Sequence, residues 1–517
     1  MDRGFQTLWR LPIGGLVVTL VALLGYWNAN QLRLGFENVW PTAAAAAVCV
    51  IVLTFVLRFS CASWDRAGVV ATMLAVYLFY VPVLVSVLGF AFSVSVALHA
   101  GVIAGLVLIY RAMPKDPSKF QVIAHRMNMV CAAVFMITLL PLAVQQVRLE
   151  THRANAAGSL GRLEGRAAEA GPDVWHILLD RYAAVDTLQE RYRFDNGPFI
   201  AALRARGFAV QDRAYSNYQR TSHSVASTMN GTLLDPIAEP MKAAPADWVP
   251  VYRAMRDSAA VKAFNDMGYR TVFAGSWWEP TRFSDSAQRS ITIRAVPQLA
   301  RLMIDHSAIG FWTQGLRAPY FDGRMDQCFR ANEKFRLLRE IAKDSERKHV
   351  FAHFLIPHPP FVLSPDGRCK SAEEARKTER RKNYVDQVRF VNREVLRLVD
   401  AIALGSRPAV IVLHSDEGPW PAPYIGDEHG LGTDPVPVPW RKLSKTQLQE
   451  KMAILLAVRA PSGRRPATMP TSPVQIYPAI LKDHFGSSKP LPPSGHYVFE
   501  SDTALYRFHD VGDRLTR

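Results

Sequence analysis

The stretch Ala409–Trp420, AVIVLHSDEGPW, runs five apolar residues into His414 and Ser415 and then stops at two adjacent carboxylates and a glycine. A short continuous apolar run closed by turn residues reads as a strand buried on both faces. At its end, Asp416 and Glu417 would repel each other unless a proton or a cation lay between them. Similar strands occur upstream: DVWHILLD (173–180) ends in Asp180, and HVFAHFLIP (349–357) ends just before His358. Helical patterns alternate with them. NGPFIAALRARGF (196–208) places Phe199, Ile200 and Leu203 on one face and stops at Gly207. AVKAFNDMGYRTVFAG (260–275) reads helix, glycine, strand around Gly268, and RFVNREVLRLVDAIA (389–403) is a helix just ahead of the opening strand. This alternation predicts an α/β domain with a largely parallel sheet. Ligands of such sheets gather beyond the carboxyl ends of the strands, where Asp180, His358 and the Asp416–Glu417 pair fall.

The N-terminal part of the 517-residue chain has a different character. Apolar stretches near 11–27, 41–57, 68–88, 92–110 and 128–146 each approach the length that crosses a hydrocarbon core. A cleaved signal peptide would explain only the first, so five spans are expected. Arg3 and Arg10, Arg58 and Arg66, and the group Arg111, Lys115, Lys119 and Arg126 mark alternate loops, against Arg33 on the other side. That bias puts the N-terminus in the cytoplasm and everything after residue 147 outside. The expected organisation is a transmembrane domain over 1–147, a polar, helical connector over 148–172 ending at Gly171-Pro172, and an extracytoplasmic domain over 173–517.

The net charge of +16 divides into +5 before residue 148 and +11 after it. A basic domain outside an anionic membrane is drawn to lipid head groups, or simply carries a solvated basic surface. The outer location and the lack of a basic-aromatic motif exclude nucleic acid as a partner. Of five cysteines, Cys328 and Cys369 are the only pair after residue 147. An oxidising compartment permits a disulfide between them, and neither has the spacing of a zinc finger.

An aspartate at a strand end is often only a turn former. Three acids at the ends of two strands, if the sheet brings those ends together, would make an all-oxygen site for a hard divalent cation. AYSNYQRTSHSVASTMNG (214–231) sets Thr221, Ser222, Ser224, Ser227 and Thr228 where a strand-like run gives way to a helix. A hydroxyl there is either a helix cap or a nucleophile beside anion-binding amides. No G-x-S-x-G elbow supports a serine-hydrolase triad. HFLIPHPPF (353–361) holds two histidines around a strand end, with prolines fixing the exit, and GDEHGLG (426–432) offers His429. Either His358 or His429 could face a ligand or serve only the fold.

The segments VWHILLDRY, SNYQRTSHSVAS, HFLIPHPPF and VLHSDEGP, in that order, resemble the alkaline phosphatase superfamily. The resemblance is to its sulfatase-like branch of membrane-anchored phosphoethanolamine and phosphoglycerol transferases, which includes the lipoteichoic acid synthases. It implies a five-span helical membrane domain followed by an α/β domain of the alkaline phosphatase/sulfatase type. It implies metal ligands at Asp180, Thr221 and Asp416, with Thr221 also the nucleophile. Glu417 stands where the family usually has histidine, which shifts the expected ion from zinc toward manganese, magnesium or calcium. The resemblance matches His358 to a histidine that contacts the substrate phosphate and His429 to a later one. The C/S-x-P-x-R motif of formylglycine sulfatases is missing, since the chain reads Thr221, Ser222, His223, Ser224. The implied activity is metal-dependent transfer of a phospho-head group from a membrane phospholipid to an envelope glycan or lipid through a phospho-threonine. A membrane-anchored phosphodiesterase or phosphatase, and a non-catalytic scaffold with an altered site, are the alternatives.

Overall fold

The computed structural model describes residues 11–61, 63–157, 159–166, 171–313, 323–426, 437–461, 463 and 465–516. The chain divides into two units. One holds the residues up to Thr151 with the described part of Val296–Tyr320, and the other holds His152–Ala295 and the described residues from Gly323 onward.

The first unit is built on α1 (Gly14–Asn30), α2 (Val39–Ser60), α3 (Trp64–Leu88), α4 (Phe92–Ala112) and α5 (Pro117–Ala157). Among the described residues four helices are long and apolar enough to cross a membrane: Phe36–Ser60, Trp64–Leu88, Phe92–Ala112 and Pro117–Ala156. The first of the five expected stretches is not among them. The first stretch is helical for only 17 residues, about 26 Å at 1.5 Å per residue, which falls short of a hydrocarbon core of about 30 Å. The sequence left the break between the third and fourth stretches open. It falls at Gly89, whose φ of +65° closes α3 in the left-handed region. Helix α5 continues past residue 147 as far as Ala157, and residues 161–166 of the connector have no regular structure. Two short helices, Gln298–Asp305 and Ala308–Thr313, belong to this unit although they follow it by well over a hundred residues.

The second unit is a three-layer α/β domain. Its seven-stranded sheet uses β1 (Asp173–Leu179), β2 (Phe208–Val210), β3 (Arg270–Ala274), β4 (Arg289–Ile291), β5 (Lys348–Phe354), β6 (Ala409–His414) and β7 (Leu456–Arg459) in the order β2-β7-β6-β1-β5-β3-β4. The five strands from β6 to β4 pair in parallel; β7 alone runs against them, and β2, antiparallel to β7, again points their way. Every residue of β1, β5 and β6 is buried, which explains their mainly apolar character, broken by Asp173, His176, Lys348, His349, His353 and His414. Trp175, Ile177, Ala352 and Leu413 face one layer, formed by α6 (Gly197–Ala205), α9 (Gly323–Ile341) and α10 (Arg380–Ala403). Val174, Leu178, Phe351 and Val412 face the other, formed by α7 (Thr221–Asn230), α8 (Ala259–Asp266) and α11 (Ile476–His484).

Buried polar groups in this unit are paired across long sequence separations. His176 Nε2 meets His414 Nδ1 at 2.8 Å, and the Tyr477 hydroxyl bridges His176 and His349 at 2.9 and 3.0 Å. Arg153 in the last turns of α5 is fully buried and holds Asp247 at 2.7 Å. Cys328 and Cys369 form a disulfide that ties α9 to the loop after β5.

Candidate active site

The register of the sheet sets β5, β1 and β6 side by side, with His353, Leu178 and His414 level across it. The chain therefore leaves all three strands at one crest, and Asp180, Asp416 and Glu417 converge there. One carboxylate oxygen from each lies within 4.8 Å of the others, and all three residues are buried. Each acid also keeps one oxygen without a hydrogen-bond partner: Asp180 Oδ1, Asp416 Oδ2 and Glu417 Oε2. Burying an unpaired carboxylate costs several kcal/mol, of the order that a bound cation offsets.

The electrostatics express the same tension. Burial pushes Asp180 up to about 7, with Arg181 pulling down and Glu417 adding to the rise. Burial, then Asp180, then Glu417 push Asp416 up to about 8, and the Thr221 hydroxyl beside it works the other way. Glu417 ends below the usual carboxylate range: burial raises it, but Lys451 and Arg181 outweigh that. Its Oε1 accepts from Arg181 Nε at 2.9 Å and lies 2.7 Å from Lys451 Nζ. These donors are all oxygen, so the cluster fits a hard divalent cation, and such an ion would hold all three acids ionised.

The backbone around the cluster is held in several places. Arg181 takes a φ of +59°, and its N–H donates to Asp416 Oδ1 at 3.2 Å. The Tyr182 N–H donates to Ser415 Oγ at 2.9 Å, and that hydroxyl donates to the Glu417 carbonyl at 2.7 Å. Gly418 is required by close approach, because a Cβ there would stand 2.3 Å from the Glu450 carbonyl oxygen. The crests of β1 and β6 are thus tied together by main-chain N–H groups after β1 that donate to side-chain oxygens after β6.

Thr221 is the first residue of α7, as the change of pattern predicts, and is partly exposed. The first amides of a helix have no intrahelical acceptor and favour an anion nearby. His358 follows β5, its N–H donating to the Asp180 carbonyl at 3.0 Å, and Gln387 Nε2 donates to the Pro357 and His358 carbonyls. Its ring Nδ1 contacts the Pro359 carbonyl, and enclosure together with Arg181 holds it well below the ordinary histidine range. The Ile356–Pro357 and Pro359–Pro360 peptides flanking it are cis. His429 lies outside the described residues.

A family model described as Sulfatase matches residues 172–482, more than half of the chain. The chain belongs to the sulfatase family. No curated protein matches it. Among solved structures it is similar to the C-terminal periplasmic domain of EcEptC from Escherichia coli in complex with Zn, at 11% identity and a TM-score of 0.43, covering 68% of this chain and 96% of that one. It is also similar to the integral membrane lipooligosaccharide phosphoethanolamine transferase A of Neisseria meningitidis, at 11% identity and a TM-score of 0.39, covering 90% and 95%. The soluble domain of that transferase matches at 12% identity and a TM-score of 0.39, covering 62% and 91%.

In this sulfatase-family chain several groups join the crest that sequence reasoning passed over. His353, in the same quoted segment as His358, sets Nε2 3.2 Å from Asp180 Oδ2 and Nδ1 2.9 Å from Thr281 Oγ1. Burial holds it at about 3, so the neutral ring donates from Nε2 to Asp180 and accepts the Thr281 hydroxyl at Nδ1. Trp420 is ringed by Arg181, Arg220 and Lys451, whose charged groups lie 5.5, 4.9 and 4.9 Å from its ring centre. Arg181 and Arg220 adjoin residues already singled out, so adjacency could have found them. Lys451 has no local signal.

Proposed function

We propose that this sulfatase-family chain is a membrane-anchored, metal-dependent transferase that moves a phospho-head group, of the phosphoethanolamine or phosphoglycerol type, from a membrane lipid to an envelope glycan or lipid. The observation that carries the reading is the crest itself: three buried carboxylates, each with an unpartnered oxygen, beside the Thr221 hydroxyl. Asp180, Asp416, Glu417 and Thr221 would hold the divalent ion, manganese, magnesium, calcium or zinc. When bound, the ion lowers the pKa of the threonine hydroxyl and neutralises charge on the phosphoryl oxygens.

The chain's own residues supply the rest. Thr221 Oγ1 attacks phosphorus and the bond to the lipid oxygen breaks. That oxygen takes a proton from solvent water and leaves as the lipid alcohol, and Thr221 is left as a phospho-threonine diester that carries the head group. Asp416, beside that hydroxyl, is placed to receive its proton. The first amides of α7 and the cations around Trp420 face the developing negative charge. His358 directs Nδ1 at the Pro359 carbonyl and so presents the lone pair of Nε2. That makes it a base for the incoming acceptor hydroxyl, which displaces Thr221 and regenerates the enzyme.

The membrane orientation follows from charge. Arg58 and Arg66, and Arg111, Lys115 and Lys119, mark the loops between α2 and α3 and between α4 and α5 as cytoplasmic. Helix α5 then starts inside and ends outside, whatever α1 does, which supports an extracytoplasmic catalytic unit in the inner or plasma membrane. The deciding experiment incubates the purified chain with manganese and head-group-labelled phospholipid and looks for the labelled phospho-head group on the Thr221 peptide by mass spectrometry. That adduct, abolished in Thr221→Ala, supports the reading; an unmodified peptide with intact head-group transfer overturns it.

A further inference from the structure

The helices Gln298–Asp305 and Ala308–Thr313 are packed within the membrane unit, and their contacts place them along its depth. Leu299 and Met303 share a buried cluster with Leu23, Trp27, Leu34 and Val39, at the turn from α1 to α2. Phe311 stacks on Phe92 and, at 4.2 Å, on His99 of α4. Trp312 Nε1 donates to the Tyr77 hydroxyl at 2.7 Å, and that hydroxyl meets His99 Nδ1 at 3.1 Å. Tyr77 is 11 residues from the Leu88 end of α3 and His99 is seven from the Phe92 end of α4. These separations are about 16 and 10 Å of helix, deeper than a headgroup layer of roughly 5–8 Å.

The α1–α2 turn, Phe92 and His99 lie toward the side of the unit opposite the Arg58/Arg66 and Arg111/Lys115 loops, and Tyr77 sits midway along α3. Within the pair, Gly310 allows close packing, since a Cβ there would stand 2.4 Å from the Asp305 carbonyl oxygen. The polar atoms of Trp312 and Tyr77 satisfy each other, as backbone and side chains at hydrocarbon depth must. Yet Ile309 and Trp312 remain 50% and 45% exposed. Apolar side chains exposed at that depth beside membrane-crossing helices face acyl chains.

We infer that residues 298–313 form a re-entrant wedge, sent by the chain from the middle of its sulfatase-family sequence into the outer leaflet, with Ile309 and Trp312 in contact with lipid acyl chains. The inference rests on the membrane reading of α2–α5, and its test separates the two.

The full chain is reconstituted in phospholipid nanodiscs and spin-labelled at Ile309→Cys, with Cys49, Cys61 and Cys131 changed to serine. A second protein carries the label on native Cys49, an exposed position on α2, and a third at Leu404→Cys, which is 88% exposed on the α/β unit. The expected result is an oxygen-to-nickel-chelate collision ratio at Ile309 that matches Cys49 and exceeds Leu404 several-fold. Trp312→Phe should also remove part of the tryptophan quenching caused by brominated acyl chains. If Ile309 meets the chelate as freely as Leu404 while Cys49 is shielded, or if Trp312→Phe leaves the quenching unchanged, the wedge is wrong and the membrane reading stands. If Cys49 meets the chelate freely as well, both fall.

Discussion

Lys451 Nζ lies 2.7 Å from Glu417 Oε1, and both side chains are sealed from water. Arg181 Nε reaches the same oxygen at 2.9 Å. Glu417 is therefore held as an anion by two cations on one oxygen, while Oε2 has no hydrogen-bond partner. Burial alone would drive Lys451 toward its neutral form, and it stands at about 8 with Glu417 opposing the drop.

Breaking such a pair from one side leaves a charge stranded in the interior. Lys451→Met is expected to destabilise the chain by about 3–5 kcal/mol. Lys451→Met with Glu417→Gln should recover much of that loss, because the stranded charge is gone. Chemical denaturation of the single and double variants in detergent measures both.

An all-oxygen set prefers manganese, magnesium or calcium, and a nitrogen donor favours zinc. Glu417→His combined with Lys451→Met, which avoids a stranded lysine, should raise the zinc-to-manganese affinity ratio by about tenfold or more, about 1.4 kcal/mol. Competition titration with metal analysis of the dialysed protein gives the ratio.

The raised carboxyls make stability depend on pH once metal is removed. Asp180 and Asp416 titrate at about 7 and about 8 in the fold and near 4 in the unfolded chain. Between those values the folded state binds more protons, so the stability of chelator-treated protein falls as pH rises from about 4 to 8. Added manganese should flatten that decline and stabilise more at pH 8 than at pH 5. Melting temperatures across pH, with and without metal, check the sign.

Removing the Thr221 hydroxyl deletes the attacking atom while leaving three carboxylates in place. Thr221→Ala should lower head-group transfer at least about a thousand-fold. Manganese affinity should change far less, as isothermal titration would show.

The disulfide closes a loop of 41 residues between Cys328 and Cys369. By loop entropy its loss costs about 4 kcal/mol, so Cys328→Ser with Cys369→Ser should unfold at clearly lower denaturant.

Much of the crest was legible because each buried strand writes itself as an apolar run and ends in a charged residue. Asp180, Asp416 and Glu417 could be assigned to one edge of the sheet, since parallel strands discharge at one edge, and the pairing of β1 with β6 is what brings them together. Lys451 was not legible: it reaches Glu417 across 34 residues, and nothing near it departs from a surface helix pattern. His353 was visible but passed over for His358, because the sequence does not say which of the two rings reaches Asp180. The wedge at 298–313 was hidden for a different reason. Helices of eight and six residues are too short for any hydropathy window that detects spans. The first apolar stretch reads as a span, and its helix has 17 residues, at the short end of the lengths that cross a membrane.

The Arg153–Asp247 pair bears on how the catalytic unit can be made by itself. Asp247 is buried, and Arg153 is what opposes the upward push of that burial on its carboxyl. A recombinant fragment begun at Asp173, where the first strand starts, would carry Asp247 without its counter-ion. One begun a turn ahead of Arg153 would keep it. Solubility, yield and crystallisability of a truncated enzyme should therefore turn on whether the expression boundary includes the last turns of what looks like a membrane helix.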